Sequence, residues 1–540
     1  MTNPSESVGA GSSSYDAIFI GAGINALGGA ILLGEAGWRV LVLEKNSTPG
    51  GSIRTQPLTL PGFHHDIGAI NLNLFIGSPF YQEHKEALAR KGLRFIVADP
   101  SVGSVFEGGR FLGISTDAEK MAQSIAEFSP ADIGNWQNWT SDFQECAPPL
   151  FQLFGSPAPE TETPDNPFGN LDDAPLSLLP KLKALLMESP RSLLSSRFES
   201  EEMRAMIAAW GLHLDHAPDI AGGSFFPFLE SNIDALQGIS LAEGGSVKLI
   251  EAMTARLHDT GGELRSSTMV EEVVVENGRA VGVRLENGEV IKTSRAVVAG
   301  VTPSSLLNLT GDQLPAPIIE RAHQWRYGPG TMMIHLALSD LPDWRAEEAR
   351  QSFYVHIGPS LDYMARTYRE GVTGRLPAEP YCVIGQPTLY DPTRAPKGKH
   401  VLWIMVRCVP AEIKDDAAGD IIGRSWTTEV RDAFADRVLD KIESYAPGLR
   451  DKILARTVHT PLDLEALNPN LVGGDLVAGS AHLDQFYGNR PFPGHAHHAL
   501  PLPGLYICGA STWPGGGASP GSGSLAAERI LADNPISRQT

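Results

Sequence analysis

The sequence predicts an α/β protein in which a nucleotide-binding domain with a parallel sheet is interleaved with an α+β domain carrying a mixed or antiparallel sheet. Three observations predict it. Near the N-terminus DAIFI, GAGINALGGAILLGEAG and WRVLVLEK follow one another as an apolar run, a glycine-rich turn with helical recurrence and a β-branched run. This is a strand–helix–strand unit, and its right-handed crossover makes the strands parallel. Further on, MVEEVVVENGRAVGVRLENGEVIKTSRAVVAG alternates apolar and polar residues around Asn277-Gly278 and Asn287-Gly288, both tight-hairpin dipeptides, before a buried strand. Finally, LYICGAS and a glycine-rich turn run into the helical SLAAERILAD. Both ends of the chain therefore serve one domain.

In chain order, residues 1–14 are polar, with neither a basic nor an apolar run, and read as a disordered tail rather than a signal peptide. Residues 15–75, 237–302 and 469–535 are assigned to the nucleotide-binding domain, and residues 76–236 and 303–468 to the substrate-binding domain. The first excursion reads as helical at SPFYQEHKEALARKG and EEMRAMIAAWG, with FGSPAPETETPDNPFGNLDDAP between them as a long surface loop. The second holds strand-like TMMIHLALS and HVLWIMVRCVP and an amphipathic helix around EVRDAFADRVLDKIESYAPG. The most apolar stretch, Ala17 to Gly37, contains glycines, an asparagine and Glu35, which disfavours a membrane span.

Composition excludes several function classes. Acidic residues outnumber basic ones 63 to 43, a net charge of −20 that repels phosphate backbones and anionic lipids. The expected partners are a small-molecule substrate and oxygen or another electron acceptor, not nucleic acid or an integral membrane. Cys146, Cys382, Cys408 and Cys508 form no CxxC pair, which argues against a disulfide framework and a structural zinc site. The expected location is a reducing cytoplasm.

The strongest local motif is Gly21-x-Gly23-x-x-Ala26 between a strand and a helix. Gly21 permits the tight turn, Gly23 lets the backbone approach a pyrophosphate at the helix N-terminus, and Ala26 lets helix and strand pack closely. Glu44, ending the next strand, offers a carboxylate to both ribose hydroxyls and would repel a 2′-phosphate. Lys45 beside it joins the cofactor-binding candidates. Gly50-Gly51 and Arg54 add bare backbone and a guanidinium for a second approach to the pyrophosphate. The C-terminal CGASTWPGGGASPGSGSLAAERIL adds helix N-terminal N–H groups suited to the N1/C2=O edge of an isoalloxazine. Together these favour FAD over NAD in a Rossmann-type domain.

These segments, with LPGFHHDIGA, AEGGSVKLIEAMTARLHDTGGEL, DPTRAPKGKHVLW and GGDLVAGSAHLDQFYGNRPFPG, resemble the flavin amine oxidase superfamily, in particular its phytoene dehydrogenase-like branch, over nearly the whole chain. The resemblance implies FAD held between N- and C-terminal motifs, with substrate entering a separate domain over the flavin. It implies that Gly21, Gly23, Glu44, Gly50, Gly51 and Arg54 hold the ADP half and that the backbone of Val270 holds adenine. It further implies that Gly68 and Ala69 line the flavin, while Gly509, Gly521, Ser522 and Gly523 meet its ribitol and pyrimidine end. The sequence departs from the family pattern at Ala510, Ser524-Leu525 and His498-Ala499-Leu500. No cysteine stands where a flavin thioether is expected, so the expected FAD is non-covalent.

Candidate catalytic residues are Tyr487, His498 and Trp513, which flank the C-terminal motif. HAHH at 495–498 reads as a solvated loop rather than a metal site, because no acidic or cysteine partner is near. His335 reads as a hydrogen-bonded core histidine, and His64-His65-Asp66 as turn residues beside the flavin. The leading function is an FAD-dependent oxidoreductase that removes hydride from a C–C or C–N bond of a mostly apolar molecule. Its alternatives are an amine oxidase using oxygen, a carotenoid-type desaturase or isomerase, and a non-enzymatic carrier on the same fold. The net charge and the 7% aromatic content point to a water-accessible substrate rather than one drawn from a bilayer.

Overall fold

The computed structural model describes residues 15–158, 171 and 174–535. The expected polar tail and most of the expected Pro/Asp/Gly-rich surface loop lie outside the described residues. Two seven-stranded sheets organise the rest.

The first sheet has a parallel core. Tyr15–Ile20 lies between Val290–Ala299 and Val40–Leu43; Glu263–Arg265 extends it on one side and Leu505–Ile507 on the other. Alternate residues of the apolar runs face opposite sides. Ala17, Phe19, Val40 and Val42 meet one core; Ile18, Ile20, Leu41 and Leu43 meet another. Burial on both faces accounts for the continuous apolar runs that mark these strands in the sequence. The expected hairpins form as Val270–Glu276, Arg279–Leu285 and the first half of Val290–Ala299.

The helix after the first strand, Ile24–Glu35, packs against the final helix, Gly521–Asp533, through bare backbone. A Cβ on Gly523 would lie 1.8 Å from the Asn25 carbonyl oxygen, and one on Gly29 2.7 Å from the Gly523 carbonyl oxygen. Only glycine permits this approach.

The second sheet runs Ile453–His459, Gly330–Leu338, His400–Val409, Tyr381–Gly385, Tyr354–Ile357, Val102–Phe106 and Arg110–Ile114. All pairings are antiparallel except the parallel contact between Tyr354–Ile357 and Val102–Phe106. The sheet is therefore mixed. Ile334, Leu336, Ile404 and Val406 face the helix Thr428–Tyr445, which contributes Phe434, Val438 and Ile442. Met333, Trp403, Met405 and Tyr354 face the other way, toward a helical layer that includes Phe225–Gln237.

The strands Val102–Phe106 and Arg110–Ile114 fall where the sequence suggested only helices. Gly103, Ser104 and Gly113 blur the alternation there, and the glycines are required: a Cβ on Gly103 would lie 2.0 Å from the Phe111 ring. His335 is fully buried between the rings of His65 and His459, but neither of its ring nitrogens has a hydrogen-bond partner among the described residues, contrary to the hydrogen-bonded expectation.

Candidate functional site

A single cavity of about 640 Å³ runs from the edge of the parallel sheet to the inner face of the mixed sheet. At the first end its wall is formed by Gly21, Gly23, Ala26, Glu44, Lys45, Gly50, Gly51 and Val270, eight of the residues expected to hold a dinucleotide. Gly21 has φ +92°, and no side chain caps the helix that starts after Gly23. Its N-terminal N–H groups are therefore available to an anion. Glu44 is 5% exposed, and its carboxylate is fixed by two backbone donors, Ala22 N–H to Oε2 and Asn46 N–H to Oε1, each at 2.9 Å. A carboxylate can accept more bonds than these two.

Arg54 stands beside this wall, on a small side pocket that shares Gly51, Ser52 and Gly68 with the main cavity. Its Nε donates to the Gly51 carbonyl at 2.9 Å, while Nη2 is buried without a partner among the described residues. Burial holds its pKa below the ordinary arginine value. A buried guanidinium with an open N–H fits an anionic ligand, so the donor set at this end suits a pyrophosphate.

Gly68 and Ala69 continue the wall. A Cβ on Gly68 would lie 2.4 Å from the Ser52 carbonyl oxygen, so glycine is needed for the turn to close over its neighbour. Asp66, two residues earlier, anchors the turn. It accepts from Ser246 N–H at 2.9 Å and from Arg394 Nη1 at 2.6 Å, and Arg394 Nε also donates to Asp391 at 2.7 Å.

The C-terminal motif contributes Cys508, Gly509, Ala510, Ser511, Gly517 and Ala518. Gly521, Ser522 and Gly523 are not in the lining; they lie one layer behind it. Ser522 Oγ accepts from Gly509 N–H at 2.9 Å, and Gly523 N–H donates to Asn25 Oδ1 at 3.2 Å. Their geometry holds the wall rather than forming it. Burial raises the Cys508 thiol to about 12.

The three expected catalytic residues are also absent from the lining. Trp513 and Tyr487 lie in an aromatic cluster with Phe154 and Phe486; Trp513 stacks on Phe154 at 5.3 Å and donates from Nε1 to the Ser156 carbonyl at 2.8 Å. His498 is buried beside the outer strand Leu505–Ile507 of the first sheet, bonded through Nδ1 to the Ile507 carbonyl at 3.1 Å, and burial lowers its pKa to about 4. It is thus not part of a solvated loop. Adjacency to the motif in sequence did not carry over to the cavity: the chain at His498–Leu500 runs antiparallel along the outer edge of Leu505–Ile507, with Ile507 N–H donating to the His498 carbonyl at 2.9 Å. No group of three His, Cys, Asp or Glu side chains among the described residues is placed to hold a metal ion.

The far end is a chamber that the sequence reading did not assign. Trp210, Phe226, Tyr354, Trp403 and Met405 supply apolar walls. Tyr354 lies 6.2 Å from Trp210 and 5.7 Å from Trp403 between ring centroids. Arg407, buried in the mixed sheet, positions the turn that carries Trp210 and His213 by donating from Nε to the Leu212 carbonyl at 2.8 Å and from Nη1 to Thr331 Oγ1. Besides Tyr354, the titratable groups His213 and Glu230 reach this end. Burial, then the charges of His356 and Arg407, push the His213 pKa well down. Glu230 is 2% exposed, and burial raises its pKa to about 7. The signal for it was present in FFPFLESNIDAL, where Glu230 and Asp234 stand one helical turn apart in an otherwise aromatic and aliphatic run.

The family model for flavin containing amine oxidoreductases matches residues 27–531. The chain is 29% identical to pyridine nucleotide-disulfide oxidoreductase domain-containing protein 2 of Mus musculus, over 96% of this chain and 94% of that protein. It is 25% identical to the lycopene-forming phytoene desaturase of Pseudescherichia vulneris, over 93% of this chain and 95% of that one. Among solved structures, cyclohexylamine oxidase from Brevibacterium oxydans superposes with a TM-score of 0.59 at 15% identity, over 96% of this chain and 99% of that chain, which shows the shared fold. No helix among the described residues is long and apolar enough to cross a membrane. The family implies a flavin cofactor and a small-molecule substrate, and the chain belongs to the flavin containing amine oxidoreductases, as an oxidoreductase of their phytoene dehydrogenase-like branch.

Proposed function

We propose that the chain is an FAD-dependent dehydrogenase that removes hydride from a C–C or C–N bond of a mostly apolar small molecule. The observation that carries this reading is the continuity of one cavity from Glu44 and the Gly21–Ala26 turn to the aromatic chamber around Trp210, Tyr354 and Trp403. In this reading Glu44 accepts the ribose hydroxyls and the Val270 backbone meets adenine. Arg54, with the bare backbone of Gly21, Gly23, Gly50 and Gly51, holds the pyrophosphate. Gly68, Ala69, Gly509 and Ala510 border the rest of the cofactor. The flavin, when bound, supplies the hydride acceptor. The aromatic walls orient the substrate by contact and keep water out, which strengthens every polar interaction inside.

The same reading assigns 15–75, 237–302 and 469–535 to FAD binding and 76–236 and 303–468 to substrate binding. It also makes the FAD non-covalent: Cys508 reaches the cavity, but with its thiol raised to about 12 it is protonated at neutral pH and a poor nucleophile. The test is the absorbance spectrum of purified protein followed by heat or acid. A yellow supernatant is expected. Colour that stays with the precipitate overturns the non-covalent assignment, and a colourless protein that takes up no added FAD overturns the reading.

A further inference from the structure

We propose that Glu230 is the proton acceptor of a desaturation, and that the substrate is a mostly apolar ketone whose C–H bond beside the carbonyl is broken in the chamber. The inference rests on the function proposed above and names the substrate class for that same site.

Among the described residues Glu230 is the one carboxyl group in the chamber wall, four residues after Phe226 on the helix Phe225–Gln237, and both side chains reach the cavity. A carboxyl buried among Trp210, Phe226, Tyr354 and Trp403 costs stability unless a partner compensates it. Its compensation is thin: Asn71 Nδ2 donates to Oε2 at 3.4 Å. Asn71 stands in the cavity wall three residues after Gly68, so the carboxyl group sits next to the turn assigned to the flavin.

A second carboxyl group lies one turn further along the helix. Asp234 accepts from Asn73 Nδ2 at 3.3 Å through Oδ1, and its Oδ2 is buried without a partner among the described residues. Asp234 on the same helix, Tyr354 on the mixed sheet and His213 across the chamber are the titratable groups around Glu230. No Lys or Arg is ion-paired with either carboxyl group among the described residues. Two like charges this close in a dry site do not both ionise, which leaves one proton on the pair near neutrality. Burial raises the Glu230 pKa to about 7, and burial, followed by the charge on Glu230, raises the Asp234 pKa well above the ordinary carboxyl value. A base poised near neutral pH matches removal of a proton beside a carbonyl. Hydride loss from the neutral form of an amine breaks a single C–H bond and has no second C–H proton for a base to remove.

In the step, the Cα–H bond breaks and its proton moves to a Glu230 carboxylate oxygen. The Cβ–H bond breaks and its hydride leaves to the flavin, and the remaining electron pair forms the Cα=Cβ bond. The substrate loses two hydrogens and two electrons, and the flavin gains the two electrons.

Proton removal is measurable apart from oxidation. Flavin-loaded protein is mixed anaerobically with 2-tetralone or 4-phenylcyclohexanone, each deuterated beside the carbonyl, and loss of deuterium to water is followed by mass spectrometry. Loss faster than in buffer is expected, rising with pH through about 7 as Glu230 ionises. Glu230→Gln should lower it about a hundredfold or more and abolish the pH step, with flavin content unchanged. If that variant does not hold flavin, the comparison moves to Glu230→Asp, which must keep a step near neutral pH. Exchange no faster than in buffer with either ketone, or undiminished exchange in Glu230→Gln, overturns the inference. Absence of flavin in the wild-type preparation would instead sink the underlying function.

Discussion

Replacing Arg54 by methionine should separate cofactor affinity from fold stability. In the protein without cofactor the change removes the Nε bond to the Gly51 carbonyl, a charged hydrogen bond worth about 1.5–3 kcal/mol. It also removes a buried cationic N–H that has no partner among the described residues, a feature that costs about 1–3 kcal/mol. Methionine spans a similar length without charge, so the two terms offset and the apoprotein should change by no more than about 1 kcal/mol. With FAD bound the balance differs, because a guanidinium–phosphate bond is then lost with no compensation. One such bond corresponds to about a ten- to hundredfold weaker Kd. Urea unfolding of the deflavinated protein measures the first quantity, and titration of the same preparation with FAD, followed by quenching of flavin fluorescence, measures the second. A Kd within about twofold of wild type, or an apoprotein destabilised by more than about 3 kcal/mol, would show that Arg54 is a structural cation and refute the pyrophosphate assignment.

Glu44→Ala should weaken FAD about ten- to hundredfold by removing the ribose acceptor, and equal FAD titrations for the two proteins would contradict it. Arg394→Met leaves the buried carboxylates of Asp66 and Asp391 without their shared cation; the expected loss is about 3–5 kcal/mol of unfolding free energy in urea, and a loss below about 1 kcal/mol would show that the turn before Gly68 is anchored by other bonds. His498 is held at about 4, below the usual 6.5, so the unfolded chain binds the extra proton between those values and stability rises with pH across that window. His498→Asn should remove up to about 1.4 kcal/mol per pH unit from that slope, and urea midpoints at a series of pH values that keep the full slope would refute it.

The parallel core was legible because its evidence is local. DAIFI, the Gly21 turn and WRVLVLEK place strand, turn and helix within thirty residues of sequence, and two-faced burial writes itself as an unbroken apolar run. Glu44 and Gly50, which line the cavity, and Arg54 beside it were legible as candidates for the same reason: the phosphate cradle proposed for them needs bare backbone and charge close together in sequence. The chamber was not legible. Trp210, Glu230, Tyr354 and Trp403 come from four distant segments, and only the tertiary arrangement brings them to one cavity. Tyr487, His498 and Trp513 show the opposite error. Their nearness in sequence to the Gly509 turn suggested nearness in space, but burial of the aromatic rings behind the wall and of His498 at the edge of the first sheet outweighed it.

The glycine contacts between the first and last helices have a consequence for synthesis. The Ile24–Glu35 helix leaves the ribosome before the surface it is shaped to meet, at Gly523, which follows about five hundred residues later. At about 5–20 residues per second this is an interval of roughly half a minute or more. Through that interval Gly28 and Gly29, which spare the space for their late partner, leave a groove open along the helix. The nascent chain thus lacks both the surface that fills this groove and the Cys508–Ala518 part of the cavity wall until synthesis has passed Gly523.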